Sequence, residues 1–283
     1  MKAKLAGLLL LLIFTQNGFS CDEHGTTSFM PENDMQISVG EKFKSDMTKK
    51  EFMSIIEKVE KVYSPVIKKE YRKTLKVNKL WSNNTVNASA QRRFNTWIVN
   101  MYGGLARHPD VTEDGFALVV CHELGHHLGG APRYSGNWAS NEGQADYFGA
   151  TKCFKRVFEK DDNEAIIAAM DIDEEATTKC QEAYSDRAEN ALCIRTAMAG
   201  ISLAKLLGRG SNVSLATPDT SVVTRTNDRH PAGQCRLDTY FQGGLCIKSW
   251  QDEVDGTNPN KGVCTRAEDF QLGLRPLCWY KPL

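Results

Sequence analysis

Two histidines four residues apart, the first followed directly by a glutamate, constrain this chain more than anything else in it. The stretch is Cys121-His122-Glu123-Leu124-Gly125-His126-His127. On a helix, at about 100° per residue, His122 and His126 leave one face a single turn apart, so both imidazoles reach one metal ion. Glu123 then lies beside that ion without having to bind it. The surroundings favour a helix. Thr112-Glu113-Asp114 is a start signal, Phe116 to Cys121 supplies an apolar back, and Gly129-Gly130 with Pro132 supplies a stop. The competing reading is a pair of ordinary surface histidines.

A catalytic metal site needs a third protein ligand and an open position for water. A histidine six residues after His126 would be one route, but that position is Pro132. The other route is a carboxylate from a following helix, and Asn141-Glu142-Gly143-Gln144-Ala145-Asp146 supplies it. Glu142 and Asp146, four apart, share a face. Glu142 is therefore the expected third ligand, and Asp146 the acceptor for the free ring N–H of a ligand histidine. A solvated acidic face is the alternative. His127 points about 100° away from His126 and reads as packing or surface. Cys121 reads as buried or disulfide-bonded, and His24 and His108 receive no role.

The first twenty residues carry Lys2 and Lys4, an apolar run from Leu5 to Phe14, and small residues at Gly18 and Ser20, the parts of a signal peptide. Export fits nine cysteines, which are unusual in a reducing cytosol. Cys21 falls where a bacterial lipoprotein carries its lipid; a plain secreted chain with one odd thiol is the other option. The remaining eight form an even set for disulfides, with the pairing left open and no Cys-x-x-Cys among them. Lys and Arg total 35, as do Asp and Glu, so no net field favours nucleic acid or an anionic bilayer. No later segment reads as a membrane-spanning run. Asn83, Asn87 and Asn212 each begin a glycosylation sequon, relevant only to a eukaryotic source.

Residues 1–20 are thus set aside as a leader to be removed, 21–47 read as an exposed leader segment, and 48–283 as one catalytic-type domain ending in a cysteine-rich tail. A helix is expected from Lys49 to Tyr63, interrupted or kinked at Pro65 and resuming from Val66 to about Thr74. Leu75 to Ala106 is β-like. Further helices are expected over Asn141–Phe158, Glu164–Met170 and Glu182–Leu207, and the region from Ser211 on reads as loops stapled by its four cysteines.

His-Glu-Leu-Gly-His followed by Glu-Gly-Gln-Ala-Asp resembles the gluzincins, most closely the M48 metallopeptidases, and His230-Pro231 with Arg236 resembles that family's third segment. The likeness covers roughly Leu75 to Gln242; residues 155 to 225 match nothing in it. It implies an α+β, mini-gluzincin-like fold with the metal helix packed on a small sheet. It further implies one Zn2+ held by His122, His126 and Glu142, Glu123 as general base, and His230 or Arg236 as the donor to a tetrahedral oxyanion. The strand Asn95–Tyr102 resembles the family's substrate-pairing strand, with an ordinary core strand as the alternative. The implied activity is endopeptidase cleavage of extended protein or peptide substrates. No nucleic acid is expected as a partner, and a membrane only through Cys21; the location is periplasmic, outer-membrane lipoprotein or secreted. Two alternatives stand beside this: a non-catalytic module that holds clients in the cell envelope, and a structural zinc protein with His230 closing the fourth position.

Overall fold

The computed structural model describes residues 27–282, so the expected signal peptide, Cys21 and His24 lie outside the described residues. The chain is α+β. Its sheet comprises β1 (Thr27–Ser28), β2 (Thr74–Leu80), β3 (Ala88–Arg93) and β4 (Thr96–Tyr102) in the order β1-β3-β4-β2. β2 runs parallel to β4, and β3 is antiparallel to both β4 and β1.

α1 (Lys49–Tyr71) begins on a capping box between Thr48 and Glu51, and buries Phe52, Ile56, Val59, Tyr63 and Ile67. It runs unbroken through Pro65. That residue lies on the exposed side, where its missing N–H leaves a carbonyl facing water rather than a dry gap. After the single turn α2 (Gly103–Ala106) comes α3 (Glu113–Leu128), capped by Thr112 and buried from Gly115 onward. α3 packs against α1, β3, β4, α8 (Arg187–Gly208) and the helical run formed by α4 (Glu142–Phe148), a π-helical stretch (Gly149–Phe154) and α5 (Lys155–Phe158).

Three further expectations are corrected. Glu182–Leu207 is two helices, α7 (Glu174–Ala183) and α8 (Arg187–Gly208), after the short α6 (Asn163–Ala168). Asp186 caps α8 by accepting from Glu189 N–H, an Asp-x-x-Glu start signal inside the expected helix. α8 is also long and apolar enough to cross a bilayer, with a mean hydropathy of 1.4, contrary to the expectation that no such run follows the leader. Its apolar window is 72% buried inside the fold, as in a core helix. Finally, the tail contains α9 (Gly233–Leu245), which is buried over most of its length and packs on α8 and α4.

Residues 31–46 are exposed or half-buried, as an exposed leader segment requires, but Thr27, Phe29 and Met30 are buried. A two-residue strand has no periodicity to read; its burial comes wholly from tertiary pairing. Four disulfides join Cys121–Cys153, Cys180–Cys193, Cys235–Cys278 and Cys246–Cys264. Such a set fits an oxidising compartment.

Candidate metal centre

α3 delivers His122 and His126 to one point, and α4 meets them there with Glu142. The approach of the two helices is close because α3 carries Gly125 at the crossing: a Cβ there would lie 2.7 Å from Ala145 O and 2.8 Å from Ala145 Cα. Asn141 fixes the first turn of α4 by accepting from Gln144 N–H at 3.0 Å, which sets Glu142 at the helix start facing α3.

His122 Nε2 and His126 Nε2 lie 3.1 Å apart. The Glu142 carboxylate is 3.4 Å from the first through Oε2 and 3.6 Å from the second through Oε1. The partners on the far side of each ring fix which nitrogen is free. His126 Nδ1 sits 2.8 Å from Ser140 O, which can only accept, so His126 carries its proton there and turns an electron pair on Nε2 toward Glu142. His122 Nδ1 is 2.7 Å from Asp146 Oδ1 and takes the same tautomer when neutral. With both imidazoles neutral, three electron-pair donors converge on one point, an arrangement that could hold a metal cation. A tetrahedral ion with bonds of about 2.0–2.1 Å sets its ligand atoms roughly 3.3–3.4 Å apart, close to the separations present. Glu142 Oε2, fully buried, makes no hydrogen bond. The residues fit a metal ion; which metal is not fixed by this donor set.

Glu123 is fully buried and neither carboxylate oxygen has a hydrogen-bond partner. Burial pushes its carboxyl up to about 8, His122 opposing and Glu142 reinforcing the rise. Burial would lower His122, but Asp146 and Glu142 outweigh it and hold the imidazole up to about 9. His126 lacks such support and burial takes it down to about 4. For Glu142 and Asp146 burial works upward, yet the surrounding histidines, and Arg236 in the case of Asp146, keep both below the usual carboxylate range. The centre is electrostatically a place for positive charge.

Arg236 is engaged mainly with Asp146. Its Nε and Nη2 both donate to Asp146 at 2.7 Å, Nη2 lies on the Nδ1 side of His122, and Tyr240 OH donates to Asp146 Oδ1 at 2.5 Å. Arg236 thus holds Asp146, and Asp146 holds His122. His230 does reach the centre, its Nε2 3.5 Å from Glu142 Oε2.

The strand Asn95–Tyr102 is also corrected as a substrate edge. β4 is paired on both sides, by β2 and β3, so its backbone groups are spent. β3, which also lies against α3, pairs with β4 along its length and on its other side with the two-residue β1. Sequence reasoning missed Tyr134, whose hydroxyl donates to Glu142 Oε1 at 2.7 Å, as well as Ser140 and Tyr240. Only Tyr240 left a signal, one turn after Arg236 on the same helix face. His127 is a packing residue, stacked between Trp97 and Trp138 with Arg92 over both indoles. Cys121, beside His122, is tied to Cys153.

Compared with protein-family models, with curated proteins and with solved structures, the chain matches none. The HExxH-type cluster therefore stands on its own geometry.

Proposed function

We propose that this chain is a zinc-dependent endopeptidase of M48-like gluzincin type, exported to a periplasmic, lipoprotein or secreted setting, that cleaves extended protein or peptide substrates. The observation that carries the reading is the convergence of His122, His126 and Glu142 on one point, with the unpartnered Glu123 carboxylate on the same turn. A bound zinc would supply Lewis acidity, polarising a carbonyl and making water acidic near neutral pH.

The protein's own groups supply the rest. Glu123, dry and free of partners, is suited to take a proton from water and return it to the leaving amine. Asp146 keeps His122 in the tautomer that offers Nε2, and Arg236 with Tyr240 keeps Asp146 ionised and in place. His230, with Nε2 toward the centre, is the donor for a developing oxyanion. Nucleic acid is not a proposed partner, and a membrane enters only through Cys21.

The test is metal analysis of the purified chain combined with casein cleavage. One metal per chain is expected, with cleavage abolished by chelator and reduced by at least about 10²-fold in Glu123→Gln, the scale of a lost acid–base group. A chain that binds metal and keeps its cellular role in Glu123→Gln is instead a client-holding module.

A further inference from the structure

The outward edge of β3 is occupied by the chain itself. Thr27 and Ser28 pair antiparallel with Ala90 and Ser89, and the Phe29 N–H donates to Ala88 O at 3.1 Å. Two carbonyls of this segment are held by residues of the third motif. Ser28 O accepts from His230 Nε2 at 2.7 Å, and Phe29 O from Arg236 Nη1 at 2.5 Å. Because a carbonyl can only accept, His230 carries its proton on Nε2, the same nitrogen that lies 3.5 Å from Glu142. The Phe29 ring is fully buried, meets the His122 ring edge-on at 5.2 Å, and lies under the Arg236 guanidinium at 4.6 Å. The Ser28–Phe29 peptide is thus bracketed: its carbonyl is held by the histidine beside Glu142, and the side chain that follows it rests on a metal-ligating ring.

An extended segment paired to a sheet edge, its carbonyls captured by side-chain donors and one ring in a buried socket, is bound as a peptide ligand is bound. We infer that Thr27–Met30 is an internal occupant of a peptide-binding edge on β3, so that the folded chain blocks its own site until this segment is displaced. The occupancy stands on the contacts above; the blocking of catalysis rests on the protease reading. The site takes an extended peptide antiparallel to β3, with a small residue on His230 and a large apolar residue, here Phe29, in the socket against His122. The segment is tethered through the mainly exposed stretch 31–46.

The experiment uses the metal-loaded full chain in a Glu123→Gln background, so that nothing is turned over, and a fluorescent peptide with the sequence of residues 26–31. Apparent affinity is divided by the fraction of sites left open. Glu123→Gln combined with Phe29→Ala should therefore bind the peptide tighter than Glu123→Gln alone, by on the order of 10-fold or more. The peptide with alanine in place of the phenylalanine should not bind. Since Phe29 is also a core residue, a second form leaves it untouched: a site-specific protease sequence replaces the exposed residues 39–42, the folded chain is cut there, and the fragment is diluted away. The cut form should gain peptide binding and lose it again when the fragment is restored. Equal affinity in uncut, cut and Phe29→Ala forms, or no binding in any of them, overturns the inference. With Glu123 intact, casein cleavage should rise by a similar factor on cutting. Peptide binding as expected with no cleavage in any form would sink the protease reading alone. Full cleavage by the uncut chain would sink the occupant alone.

Discussion

Glu123 and Asp146 are both fully buried carboxylates beside a ligand histidine, yet their surroundings send them opposite ways. Glu123 has no partner and burial pushes it up to about 8, whereas Asp146, against the same burial, is held ionised by Arg236 and His122. Two acidic groups thereby acquire two tasks, one moving a proton and one staying charged. Asp146→Asn should lower metal affinity by roughly 10–100-fold, the usual cost of disturbing the group behind a ligand histidine, in a competition titration with a metal indicator. Arg236→Met leaves Asp146 buried without its cation and should destabilise the fold by about 3–5 kcal/mol in urea melts. An Arg236→Met variant that lost activity while keeping both stability and metal affinity would return Arg236 to the catalytic role its motif suggests. A buried charge outside the centre adds a pH dependence of its own. Lys155 donates to Tyr184 OH and Cys246 O, and burial, then Lys152, brings its amine down from 10.5 to about 7. Between about pH 7 and 10 the unfolded chain holds a proton on this lysine that the folded chain has released, so the Lys155 contribution to stability rises with pH there and levels off below about pH 7. From pH 7 to 9 this one group's contribution should grow on the order of 2 kcal/mol, read as the difference in urea-derived stability between wild type and Lys155→Met across that range.

At the scale of elements, the centre is a crossing of two helices at a glycine. Gly125→Ala would set a methyl against the Ala145 backbone at 2.7–2.8 Å, and neither main chain yields without moving α4 off α3. The expected cost is about 1–3 kcal/mol of stability. Because α4 carries Glu142 away with it, metal affinity should fall as well. A variant that melts lower but titrates metal unchanged would show that the crossing does not set the ligand geometry. What was legible in the sequence follows the same division. α3 and the first turn of α4 announce themselves because one ion needs His122, His126 and Glu142 on faces that only helices of that phase provide. The sheet region was legible from its β-branched and aromatic runs, but not the strand order: pairing is a long-range property, and neither β4, between β2 and β3, nor β3, between β4 and β1, carries a local mark of it. α9 was hidden because Gly233, Gly243 and Gly244 dilute its periodicity, and its burial depends on α8 and on the disulfides. β1 was hidden because Thr27 and Ser28 pair with residues more than sixty positions away.

At the scale of the molecule, the disulfides divide into those that brace the centre and those that do not. Cys235–Cys278 ties α9, next to Arg236, to the tail that carries Trp279, and the Trp279 ring lies where a Cβ on Gly143 would be, 2.3 Å from Cδ2, over the first turn of α4. Cys180–Cys193 joins α7 to α8 in a separate apolar cluster. In the chain-entropy account, loops of 43 and 13 residues give about 4 and about 3 kcal/mol, too close for stability alone to separate the two bridges. Metal affinity should separate them. Replacing Cys235 and Cys278 together by serine frees both Trp279 and the end of α9 that positions Arg236. The double variant should lose metal affinity by about tenfold or more, as expected when support behind ligands is loosened. Replacing Cys180 and Cys193 should shift the urea midpoint by a similar amount and leave the titration unchanged. If both pairs move the two readouts in parallel, the tail stabilises the fold only in general. If they part as expected, the cysteine-rich tail is structural support for the centre, placed there by residues far from it in sequence.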